Sequence, residues 1–146
     1  MGFVWDKLVK NLKRLKNGGI DDVARKLIVS NKKEVTDLNT KKQLFDKGIN
    51  SDGTEVEPEY KKTTISIKER KGQPTNRVTL KDTGSFHKKF YVDSKKKSFT
   101  LDSKDSKRDD LVDKYGERIF GLTQKSRSSL SRTLKKDLVK RVKNKL

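Results

Sequence analysis

The apolar positions fall into short periodic runs separated by polar turn signals, and each run predicts an element. Val4, Leu8, Leu12 and Leu15 form one helical stripe over residues 3–16, with Trp5 and Val9 beside it. Gly18-Gly19 stops that run. Asp21 or Asp22 caps a second helix that carries Val23, Ala24, Leu27 and Ile28. A third helix is predicted over 32–47 from Val35, Leu38 and Phe45, and Gly48 closes it. Asn50-Ser51-Asp52-Gly53 is a turn, and Val56 to Tyr60 an extended connection. Thr63 to Arg70 reads two ways: Thr64-Ile65-Ser66-Ile67 alternates like a strand, while the basic residues after it suit a short helix.

Residues 77–103 are the most strand-like part. Val78 and Leu80 lead into the turn Asp82-Thr83-Gly84, Phe86, Phe90 and Val92 follow, and Phe99 and Leu101 alternate on a return strand. The expectation is a β-hairpin with Lys95, Lys96 and Lys97 at its tip. Asp105 or Ser106 caps a helix with Leu111, Val112 and Tyr115, ended by Gly116. Thr123 caps a long last helix in which Leu130, Leu134, Leu138, Val142 and Leu146 recur every four residues. The fold class is therefore α+β: N-terminal helices, a small antiparallel sheet with a β-hairpin, and a long basic C-terminal helix. Residues 1–19 read as a basic amphipathic arm and 20–146 as a single domain.

Composition changes this picture in one respect, the size of the core. Charged residues are 40% of the chain and the hydrophobic set 29%, so a core forms but a thin one. The net charge of +18 selects polyanions as partners: DNA, RNA or an anionic membrane surface. The basic arm suits a membrane surface or, more ordinarily, packing on protein. No apolar run has the length of a membrane span, so no membrane anchor is expected. Cys is absent, which removes disulfides, thiol nucleophiles and zinc–thiolate sites and fits a reducing interior.

Chemistry is sparse. His87, the single histidine, has no partner at ligand spacing and is expected at a surface or interface. Asp102, Asp105, Asp109, Asp110 and Asp113 interleave with Lys104, Lys107, Arg108 and Lys114, as a capped and solvated helix start would. Glu59 with Glu69-Arg70-Lys71 has the spacing of a magnesium nuclease, but that chemistry needs a rigid strand where this chain runs into Gly72-Gln73-Pro74. No enzyme, metal or cofactor is expected. The aromatics follow core alternation, which argues against a stacking platform for single strands. No helix beside a turn offers a base-reading set, so contact with duplex DNA would be through phosphate, without sequence preference. The last helix holds nine Lys or Arg from Lys125 to Lys145 against one acid, Asp137. Leu130, Leu134, Leu138 and Val142 are the expected oligomer or packing face, and Lys95, Lys96, Lys97, Lys135, Lys136, Lys140 and Arg141 the cations expected to face DNA or a neighbour.

From Val78 to Phe86 onward the chain resembles the phage virion-morphogenesis and tail-completion family of head–tail joining minor capsid proteins. The resemblance rests on Leu80 to Gly84, the hairpin from Phe90 to Leu101, Lys114-Tyr115-Gly116, and Arg118-Ile119-Phe120-Gly121-Leu122-Thr123, in that order. It spans roughly residues 43–146, and the wording of the motifs is most similar to crAss-like phages. Glu117-Arg118 stands where the family often has Pro-x-Arg, and the N-terminal arm has no counterpart. The resemblance implies a homo-oligomeric ring subunit of the neck or tail, twelve-fold favoured over six-fold. Its implied neighbours are the portal or adjacent ring proteins, with double-stranded DNA passing through, and its place is a virion assembled in the host cytoplasm. The rival expectation is a free, sequence-nonspecific nucleic-acid-binding protein, ribosome-associated or nucleoid-like.

Overall fold

The computed structural model describes residues 19–95 and 98–145. Residues 1–18 of the predicted arm, and Lys96 and Lys97 of the hairpin tip, lie outside the described residues, while Gly19 opens the first described helix. Helix α1 (Gly19–Ser30) and helix α2 (Lys32–Asp37) come first. The chain then passes without a break into a π-helical run, Leu38–Phe45. Helix α3 is Lys62–Arg70, α4 is the single turn Ser85–Lys88, and strands β1 (Phe90–Ser94) and β2 (Phe99–Ser103) form the hairpin. Helix α5 (Arg108–Tyr115), a 3₁₀ turn (Glu117–Ile119) and the long helix α6 (Gln124–Lys145) complete an α+β fold.

Several local expectations change. Asp21 and Asp22 lie inside α1 and do not cap it. The strand alternative for 64–67 gives way to α3, whose inner face sets Lys68 among buried residues and leaves Ile67 half exposed. Val78 and Leu80 are buried but belong to no strand, and Phe86 sits on the α4 turn. The π-helical run shifts the phase of the third helix: Leu44 becomes fully buried and Phe45 only half-buried. A π turn closes i→i+5 bonds and is wider than an α turn, so a face set by three- and seven-residue spacing drifts along it.

The hairpin register pairs Phe90 with Ser103, Val92 with Leu101 and Ser94 with Phe99. The Lys95 N–H closes its turn on the Ser98 carbonyl at 2.7 Å. The core divides into two small clusters. One gathers Leu44, Val56, Val78, Leu80, Phe86, Phe90, Tyr115 and Ile119; the other gathers Ile28, Val35, Leu38, Leu101, Leu122 and Leu130. Phe120 packs against both. It stands 5.3 Å from Phe90, which meets Phe86 edge-on at 5.1 Å. Such ring pairs add about 0.5–1.5 kcal/mol each beyond the area they bury.

Candidate nucleic-acid interface

Helix α6 is positioned from its N-terminal side by buried amides. Asn39 and Gln43, both buried on the π-helical run, bind the backbone of the segment before α6. Asn39 donates to the Ile119 carbonyl at 3.0 Å and accepts the Gly121 N–H at 2.8 Å. Gln43 donates to the Gly121 carbonyl at 2.8 Å and accepts the Thr123 N–H at 2.9 Å. Two side chains thus satisfy four main-chain groups in the alternating manner of a strand neighbour. Gly121 fits because its φ is +116°, and a Cβ there would stand 3.0 Å from that of Ser51. Thr123 then caps the helix as its type predicts, its hydroxyl accepting the Ser126 N–H at 3.1 Å.

One face of α6 is turned into its own chain. Leu130 and Leu138 are buried and Leu134 packs half-buried against the second cluster. Val142 lies on α6, but its side chain is outside the described residues. Polar contacts to the end of α1 continue the docking. Asn31 donates to the Asp137 carboxylate at 3.0 Å, and Arg141 reaches Asp137 at 3.4 Å and the Ser30 hydroxyl at 2.7 Å. Arg141, expected among the cations facing DNA, is therefore a fastener between α6 and α1. Leu130 and Leu138, expected as an oligomer or packing face, are occupied within the chain.

The opposite face is cationic. With 3.6 residues per turn, the spacing of Lys125, Arg132, Lys136 and Lys143 (seven, four, seven) puts them on one line, with Lys140 beside it. The line runs for about 27 Å at 1.5 Å per residue. All five are exposed, and none forms an ion pair among the described residues. The carboxylate of Asp137, the acid of α6, is engaged on the far side. Other elements balance many of their cations: Lys26 with Asp22, Lys33 and Lys41 with Asp37, Lys71 with Asp82, Arg108 with Asp102 and Asp109, Arg118 with Asp52. Of the other residues expected to face DNA, Lys136 and Lys140 belong to this face, Lys95 is exposed at the hairpin tip, and Lys135 is half-buried. Lys125, Arg132 and Lys143 join them through helical spacing, a signal present in the sequence but diluted there by the other cations of the helix.

His87 is half-buried, not superficial; its Nε2 meets the Thr79 carbonyl at 2.9 Å. Burial is the main force holding its pKa down to about 4, so the ring is neutral at physiological pH and Nε2–H donates to Thr79. Asp102 and Asp109 are bridged by Arg108, and Asp105 is tied to Ser85 and the Lys107 N–H. Hydrogen bonds from Ser85 and Lys107, ahead of the Lys89 charge, lower the Asp105 pKa. Among the described residues no group of three His, Cys, Asp or Glu could hold a metal ion. Glu69 lies on the last turn of α3, not on a strand, and Lys71 pairs with Asp82 at 2.6 Å. No described helix is long and apolar enough to cross a membrane.

A scan against protein-family models finds none that matches this chain, and no curated protein or solved structure matches it either.

Proposed function

We propose that this chain is a non-enzymatic structural subunit of a tailed-phage particle, set in a neck or tail ring, and that α6 meets the passing DNA through its cationic face. The observation that carries the DNA half of this reading is the row Lys125, Arg132, Lys136, Lys140 and Lys143, exposed, aligned and without a carboxylate partner among the described residues. A rigid row of cations releases counterions from a duplex without fixing register, which suits a polyanion that must slide. The ring half rests on the order of motifs from Leu80 to Thr123. Those motifs lie at the Gly84 turn, the hairpin, the end of α5 and the segment held by Asn39 and Gln43. Purified virions should contain the chain by mass spectrometry, and the isolated protein should form closed rings under the electron microscope at high concentration. Its absence from virions, with a monomer at every concentration, would sink the ring reading.

One observation favours a second reading, a free sequence-nonspecific nucleic-acid-binding protein. The apolar stripe of α6 is spent inside the chain at Leu130 and Leu138 and offers a neighbour little there. Sedimentation separates the two: the free binder stays monomeric when concentrated and still shifts any duplex.

A further inference from the structure

The hairpin has one covered side and one open side. Lys104 N–H bonds the Lys89 carbonyl at 3.1 Å, and Lys95 N–H the Ser98 carbonyl at 2.7 Å. Hydrogen-bonded pairs alternate along an antiparallel ladder, so with the observed register Tyr91–Asp102 and Asp93–Thr100 are the bonded pairs between them. The main-chain groups of Phe99 and Leu101 consequently point away from β1, and they take no partner among the described residues. Strand β1, by contrast, is packed by α1 and α2.

The open edge borders a groove of about 600 Å³, whose far bank is Phe120-Gly121-Leu122. Asn39 and Gln43 take both main-chain groups of Gly121. The Phe120 carbonyl and the Leu122 N–H and carbonyl have no partner among the described residues. Two stretches of main chain with unused donors and acceptors thus flank one slot. Half-buried Phe99 and Phe120 supply apolar surface in it. Exposed Arg127 and exposed Glu117, neither in an ion pair among the described residues, also line it, and Arg108 and Asp102 there pair with each other.

We infer that this slot takes an extended strand of another protein, with apolar residues at alternate positions and carboxylates between them. Strand addition at a sheet edge draws affinity from main-chain bonds and specificity from alternate side chains. Charge selects the source. A second copy of this chain brings +18 to a body already at +18, and its residues 7–16 carry five Lys or Arg and no acid, so the chain's own basic segments meet the repulsion of the whole molecule as well as of the Arg127 guanidinium. An acidic strand is drawn by the same field and pairs with that guanidinium. The inference does not depend on α6 binding DNA.

Amide hydrogen exchange of the full chain tests it at the Phe99, Leu101 and Leu122 N–H groups. The probe is a capped peptide of alternating valine and glutamate, with an alternating valine–lysine peptide as control. These amides should exchange freely in the protein alone at any concentration and slow by about tenfold or more with the glutamate peptide only. Arg127→Glu, at an exposed residue of the first turn of α6, should reverse the preference between the two peptides. Protection already present in the dilute protein would mean that the chain fills its own slot and would overturn the inference. Protection that grows with protein concentration would assign the slot to a second copy and overturn it equally, as would indifference to both peptides.

Discussion

Gln43 and Asn39 show how far single residues set the geometry of this fold. Each side chain serves two main-chain groups of the segment that delivers α6. Gln43→Leu keeps the volume but strands the Gly121 carbonyl and the Thr123 N–H. A buried group left unsatisfied costs about 1–3 kcal/mol, so the variant should lose about 2–4 kcal/mol in urea unfolding. Gly48 is a second fixed point: its φ is +61° and a Cβ would stand 2.8 Å from that of Arg77 and 3.1 Å from the Val78 carbonyl. His87 supplies a pH dependence with a definite sign. Its folded pKa, about 4, lies below the ordinary 6.5, so the unfolded chain takes up the proton first. The contribution is complete above about pH 6.5 and is lost as pH falls towards 4. Between pH 7 and 4.5 the protein should lose about 2 kcal/mol more than His87→Gln does, by denaturant titration at each pH. Gly48 was legible as the glycine that closes the third helix, whereas the roles of Asn39, Gln43 and His87 were not. Asn39 and Gln43 stand in a helix of mixed polar residues, and only the chain packed 80 positions away makes them buried.

At the scale of elements, periodicity carried most of the fold. The hairpin, the end of α5 at Gly116 and the Thr123 cap of α6 lie where alternation, glycine and cap chemistry put them. One element went astray, and one open reading closed on its helical alternative. Val78 to Phe86 alternates like a strand, but no partner strand for it lies among the described residues, and burial alone explains its apolar positions. Residues 64–67 alternate too, yet Lys68 needs the Lys81 carbonyl at 3.0 Å and the Tyr60 ring, which a helix provides. The leucine repeat of α6 was plain, while its surroundings were not, because the Asn31, Asp137 and Arg141 contacts join positions more than a hundred residues apart. Leu138 is 2% exposed, so Leu138→Ala should cost about 2–4 kcal/mol, and Leu134→Ala less, as that side chain is only partly buried. Lys136→Ala should stay within about 0.5 kcal/mol. Thermal unfolding of the three variants checks the order.

At the scale of the molecule, a divided core faces a net charge of +18. Like charges held on a small body repel, so salt or a polyanion that screens them should raise the melting temperature before any specific contact is considered. Charge is distributed with a pattern that bare composition conceals. Asp137 is withdrawn to the α1 side, and α6 is left with a cationic face along its outer line. The net charge announced a polyanion partner, but which cations act together depends on where α6 docks. The central claim is that this face binds duplex phosphate. It is tested by the salt dependence of duplex affinity for the protein and for the variant with Lys125, Arg132, Lys136 and Lys143 all changed to Gln. Each phosphate contact contributes about 0.9 to the slope of log affinity against log salt, so the variant's slope should be shallower by about 3 to 4 units with no loss of thermal stability. An equal slope in the two proteins would contradict the claim and move the DNA contact off α6.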